Sequence, residues 1–98
     1  MSEILHADYF RPYIGKTFRV LGTSFAFPLL EIVSNNWPLP PGVKRRPFLL
    51  IFRAMKTHGV LAEGLYDCDI EGGPKASLYI VPIHTAHREW QDYQAVFN

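Results

Sequence analysis

Phe48-Leu49-Leu50-Ile51-Phe52-Arg53 is an unbroken apolar run of β-favouring residues closed by a single fixed positive charge. Its length and composition read as a central strand. Because the run is apolar at every position, it cannot be half-solvated by alternation. Both of its faces are therefore expected to be covered, one by the core and the other by a second layer, a helix or a partner. Arg53 at its end needs water or an acidic or carbonyl partner, since a guanidinium buried alone is strongly destabilising.

On the N-terminal side of this run lies a stretch from Ser34 to Arg46 that holds Asn35-Asn36, Pro38, Pro40-Pro41-Gly42 and Lys44-Arg45-Arg46, and it reads as a loop. Before it, Thr17–Leu21 and Phe27–Val33 read as two strands joined as a hairpin through Gly22-Thr23-Ser24-Phe25-Ala26. Pro28 cannot donate to a ladder, so it belongs at a strand start or on an unpaired edge. On the C-terminal side, residues 54–64 read as a turn or lid. Leu65–Ile70 then alternates with period two, setting Leu65, Asp67 and Asp69 on a solvated edge-strand face and Tyr66, Cys68 and Ile70 on the other. Gly72-Gly73-Pro74 is turn chemistry that folds this strand back on Ser77–Pro82. The last strand, Asp92–Phe97, places Tyr93, Ala95 and Phe97 on one face.

The spacing of Ile4, Leu5, Tyr9 and Tyr13 predicts a helix over Ile4–Ile14, with Ser2 or His6 near its start, Pro12 breaking its second half and Gly15 ending it. Tyr9, Phe10 and Tyr13 are expected to cover one end of the sheet. Six strands with short links and no βαβ rhythm predict a mainly β chain: one antiparallel barrel or sandwich with a short N-terminal helix. Residues 1–98 form a single domain in this reading, 1–15 as helical cover and 16–98 as the β part. Thr17–Leu21 and Tyr93–Phe97 carry no proline and little charge, so they are expected either to pair with each other and close a barrel, the favoured reading, or to lie open to another chain.

Composition bounds the function classes. A chain of 98 residues is one ordinary domain, and 14% aromatic residues supply enough apolar area for a core without staples. The formal charge of +1 gives no bulk attraction to nucleic acid or to an anionic membrane. Cys68 is the sole cysteine, which rules out an internal disulfide and makes a cytoplasmic address the default. Met1–Asp8 is acidic and lacks a basic start, so no signal peptide is expected, and no apolar window is long enough for a membrane helix.

Few residues suggest chemistry. His84 and His87 sit three apart with Glu89 and Asp92 behind them, but without a third ligand at defined spacing they are expected to be exposed and unliganded. Asp67, Asp69 and Glu63 resemble a carboxylate set for proton transfer, and are expected instead to be a solvated face. Cys68 on the apolar face of its strand is expected to be an inert buried thiol. No catalytic residue and no cofactor are expected. Trp37, Arg45, Arg46 and Trp90 are the candidates for contact with a protein partner, because Trp and Arg dominate interface energetics.

With the strands placed, Phe48, Leu50, Phe52 and Arg53 fall in "F-x-L-x-F-R", Gly64-Leu65-Tyr66 in "G-x-Y", Leu78–Pro82 in "L-x-x-V-P", and Tyr93, Ala95, Phe97 and Asn98 in "Y-x-A-x-F-N"; an N-terminal phenylalanine, Phe10, and "G-x-x-F" at Gly15 and Phe18 precede them. This combination resembles a family of roughly hundred-residue bacterial domains of unknown function, across nearly the whole chain. Ala54-Met55 stands where the family has glycine-proline. Structural positions implied by the resemblance are Phe48, Phe52, Arg53, Tyr66, Pro82, Tyr93 and Phe97. The family is encoded near phage-tail-like collar and fibre proteins, which implies a small structural, assembly or accessory protein acting through protein contacts, in the cytoplasm or in a virion-like assembly. A β-barrel module binding a small ligand or peptide is the alternative, and an enzyme comes third.

Overall fold

The computed structural model describes residues 6–34, 38–42, 46–56 and 59–97. Six antiparallel strands form a closed barrel: β1 (Thr17–Val20), β2 (Ala26–Ser34), β3 (Phe48–Met55), β4 (Gly64–Ile70), β5 (Lys75–Ile83) and β6 (Trp90–Phe97), in the spatial order β1-β2-β3-β6-β5-β4. Both hairpins expected from the turn residues, β1–β2 and β4–β5, are present. In the first, Gly22 takes a positive φ and the Thr23 hydroxyl donates to Val20 O at 2.8 Å while accepting from Phe25 N. Pro28 sits opposite Thr17, one residue before the first pairing of β2 with β3, where its missing N–H costs no ladder bond on that side.

Closure is made differently from the sequence expectation. β1 does not pair with β6; its second neighbour is β4, through Phe18 opposite Ile70 and Val20 opposite Cys68. β6 is instead inserted between β3 and β5, with eight uninterrupted pairs to β3 from Phe48–Phe97 to Met55–Trp90. It follows that β4 is no edge strand, and that the barrel presents no open edge to another chain.

The core is aromatic. Phe18 and Phe27 lie 5.0 and 5.1 Å from Phe52, ring centre to ring centre, and Tyr93 stacks on Phe27 at 5.1 Å. All four are fully buried and fill the barrel's middle. The Tyr93 hydroxyl accepts a hydrogen bond from Leu61 N at 2.9 Å, which satisfies the polar end of a buried ring. At one end, Phe48 and Phe97 stack at 4.7 Å and Phe10 closes over them.

The N-terminal cover is shorter than the spacing suggested. A single helical turn, α1 (Ala7–Phe10), runs into a 3-10 turn over Arg11–Tyr13. Pro12 accounts for the change of pitch, and Gly15, at φ 87°, turns the chain into β1. Ile4 and Leu5 lie outside the described residues. Tyr13 reaches the β4–β5 turn, where a Cβ on Gly73 would stand 2.6 Å from its ring. The segment expected to form a turn or lid begins later than expected, because β3 continues through Ala54 and Met55.

Candidate functional site

The outer wall of the barrel holds what the core did not take. The alternation of β3 is regular, with Phe48, Leu50, Phe52 and Ala54 inward and Leu49, Ile51, Arg53 and Met55 outward. Among the described residues no second layer and no helix covers the outer face of this all-apolar strand, so of the covers expected from sequence a partner is the one left open. A small barrel leaves its outer wall to solvent or to a partner.

Register collects these outward side chains into a row. Val33 lies opposite Leu49, and Leu49 opposite Val96. Tyr79 follows from the Ile80–Ala95 pair as the neighbour of Val96, and it stands opposite Leu65. Val33, Val96, Tyr79 and Leu65 are 44, 43, 48 and 70% exposed, well beyond what packed side chains retain. One apolar row thus crosses β2, β3, β6, β5 and β4. Beside its β2–β3–β6 end is an apolar depression of about 250 Å³ floored by Val33, Pro47, Phe48, Leu49 and Val96. Contiguous exposed apolar surface of this kind marks interaction sites more often than isolated surface leucines do.

Four positions further along β3 and β6 the wall turns charged. Arg53 donates from Nε and Nη2 to both carboxylate oxygens of Asp92, at 2.7 and 3.0 Å. These bonds to Asp92, and its charge, hold the guanidinium pKa above its ordinary value. The acidic partner expected for Arg53 is Asp92. The guanidinium also lies over Trp90, 4.5 Å from the ring centre, and His87 stacks on the same indole. His84 is exposed as expected, whereas His87 is half-buried, with Nδ1 accepting from Glu89 N.

The remaining chemical candidates are dispersed. Asp67 accepts from Ser77 Oγ at 2.6 Å, Asp69 pairs with Arg19 at 2.8 Å and Glu63 accepts from the Tyr79 hydroxyl at 2.5 Å. Each carboxylate has a separate partner, and they form no acid–base pair. Cys68 is buried, and burial together with the Asp67 charge pushes its thiol up to about 11, which leaves it protonated and inert. No group of three metal-ligating side chains occurs among the described residues, and no helix among them is long and apolar enough to cross a membrane.

Of the four contact residues expected from sequence, Trp37 and Arg45 lie outside the described residues. Arg46 lines a cleft of about 250 Å³ with His6, Asp8, Arg11 and Ser34, away from Trp90. Trp90 is the one that meets the candidate wall. Of the positions implied by the resemblance, Phe48, Phe52 and Tyr93 lie in the core, Phe97 and Tyr66 pack against it, Pro82 stands opposite Tyr93 and Arg53 on its acid. Gly64 lies under the Tyr66 ring, where a Cβ would be 3.4 Å from it. The row itself was missed. Alternation marked Leu65 as outward, but grouping it with Val33 and Val96 required the strand order.

A family model described as a domain of unknown function (DUF6916) matches residues 5–97. No curated protein and no solved structure matches the chain.

Proposed function

The chain belongs to the DUF6916 family, and from its outer wall we propose that it is a small assembly or accessory protein that acts by protein–protein contact and not by catalysis. The observation that carries this reading is the exposed apolar row from Val33 to Leu65, which the fold does not use. Because the barrel is closed, a partner cannot add a strand and must dock on this wall with its side chains. The Trp90–Arg53 stack at the polar end of the same wall supplies residue types that anchor interfaces. A tail-like or other virion-like assembly, or a cytoplasmic complex, is the setting that the family resemblance implies.

A ligand-binding barrel gains no support, since Phe18, Phe27, Phe52 and Tyr93 fill the interior in which a ligand would sit. The test is capture of partners from the source cells by the immobilised chain, set against Leu49→Ser/Val96→Ser. The wild type is expected to retain a partner that the variant, with an unchanged melting point, loses. Equal capture by both would remove the wall from consideration.

A further inference from the structure

The apolar depression and the cleft that holds Arg46 adjoin each other. Ser34, at the end of β2, lines both of them, and Arg46 and Pro47, consecutive in the chain, line one each. The pair is confined to one side of the barrel: Val33 and Ser34 on β2 stand opposite Leu49 and Phe48 on β3, and Leu49 stands opposite Val96 on β6. The N-terminal turns supply the remaining wall of the cleft, from His6 to Arg11. The two cavities differ in chemistry. Val33, Leu49 and Val96 offer the depression apolar side chains, whereas the cleft has two guanidinia, Arg11 and Arg46, to the one carboxylate of Asp8. Asp8 accepts from Arg11 Nε at 2.5 Å, and a guanidinium carries five donors, so that bond leaves others for a second acceptor. On the far side of Val33 stands Glu31, opposite Ile51 on the outer wall. Charge therefore changes sign along β2, from the carboxylate at Glu31 to the guanidinia beyond Ser34.

Resting on the contact-surface reading above, we propose that the occupant of this pair of cavities is an extended segment of another protein that seats an apolar side chain in the depression and lays a carboxylate in the cleft. The planar fork of arginine suits a carboxylate, which it meets through parallel N–H bonds. Adjoining cavities of this volume have centres about 8 Å apart, a distance that an extended chain covers in about two to three residues at about 3.3 Å each. One short segment therefore reaches both. The opposite orientation would bring the same carboxylate towards Glu31, so the change of sign along β2 also sets the direction in which the segment lies.

The probes are capped peptides of about eight residues in which Leu-Val stands about two positions before Asp-Asp, with Asn-Asn and Lys-Lys versions as controls. Titration followed by nuclear magnetic resonance is expected to move the amides of Val33, Ser34, Leu49 and Val96. The Asp-Asp peptide is expected to bind at least about fivefold more tightly than Asn-Asn, with Lys-Lys weakest, and added salt to narrow the difference. Arg11→Gln/Arg46→Gln is expected to abolish that preference, Arg11→Lys/Arg46→Lys to keep part of it, and Leu49→Ser/Val96→Ser to weaken all three peptides. Should the glutamine pair lower the melting point, the ranking of the three peptides on the wild type and its salt dependence decide alone. Equal binding of the three, or binding of none, overturns the acidic occupant. Inorganic phosphate that moves Ser34 as far as the Asp-Asp peptide does would assign the cleft to a free anion, and so reject the proposal. In the capture experiment above, a partner lost with Leu49→Ser/Val96→Ser but kept by Arg11→Gln/Arg46→Gln would leave the contact surface standing without this occupant. If capture is indifferent to the serine changes, the surface falls and this inference with it. A wild-type dimer by light scattering that the serine changes convert to monomer would assign the depression to a second copy, which also rejects the proposal.

Discussion

The two faces of the β3–β6 pair share one register and both carry apolar residues, yet they do different work. Inside, Phe48, Leu50 and Phe52 meet Phe97, Ala95 and Tyr93; outside, Leu49, Ile51 and Arg53 meet Val96, Gln94 and Asp92. Apart from the half-buried Phe97, the inner set is almost wholly removed from water, whereas Val96 keeps 43% of its surface. In a flat sheet, a strand apolar on both faces signals a layer on each side. In a small closed barrel only one face has an inside, and apolar residues on the other are surplus to folding. That surplus is what makes the outer wall a candidate surface for contact.

The sharpest way to break this contrast is to remove β6. It contributes both walls and lies between β3 and β5, so a chain ending at Asp92 loses two ladders and the Tyr93 and Phe97 rings together. It is expected not to fold; far-ultraviolet circular dichroism showing a native sheet with an unchanged melting point would contradict the topology.

Next in size is Phe52→Ala. Phe52 touches Phe18 and Phe27 at the centre of the barrel, and exchanging its ring for a cavity is expected to cost about 3–5 kcal/mol, much of the margin of a domain this small. Denaturant midpoints at constant m value would read it, and a loss below about 1 kcal/mol would show that the ring does not sit in a packed core.

The inner wall also has a pH signature. Burial raises the Cys68 thiol from its ordinary value of 9.0 to about 11, so the folded chain keeps a proton that the unfolded chain releases. Stability from this source is complete below about pH 9 and is lost as pH rises to about 11. Two pH units correspond to roughly 2–3 kcal/mol. Cys68→Ala is expected to lower the melting point at neutral pH but to flatten its decline between pH 9 and 11. Burial shifts Tyr93 in the same direction in both chains, so the difference between them isolates the thiol. Parallel declines would mean that Cys68 is not held in an apolar setting, as would rapid modification by a thiol reagent at pH 8.

Much of this architecture is legible from local pattern. Period-two alternation placed Tyr93, Ala95, Cys68 and Ile70 correctly, and Gly22 and Gly72-Gly73 marked the two hairpin turns, because these signals depend on neighbours in the chain. What depends on distant pairing was not legible. Thr17–Val20 and Trp90–Phe97 both look like unprotected strands, and nothing in either says that the first closes on β4 while the second inserts between β3 and β5. The apolar row fails to show for the same reason. Val33, Leu49, Leu65, Tyr79 and Val96 are scattered along the sequence and become adjacent only once strand order and register are fixed. Trp90 was found from residue type alone, but its Arg53 and His87 stacking needed the fold.

The smallest expected effect tests the contrast from its other side. If the outer row is surplus to folding, trimming it should leave stability almost unchanged, although the same trimming inside would be severe. Val33→Thr keeps the β-branched shape suited to a strand and replaces one outward methyl with a hydroxyl that water can reach, so neither packing nor strand preference is lost. Leu65→Thr removes a side chain that is already 70% exposed and so makes little contact to forfeit. The two sites lie on strands that do not pair with each other and share no partner, so their effects should add. Each is expected to change stability by no more than about 0.5 kcal/mol, the range of ordinary surface substitutions. A loss of about 2 kcal/mol or more at either site would place that residue among the folding contacts, and the apolar row would then need no partner to explain it.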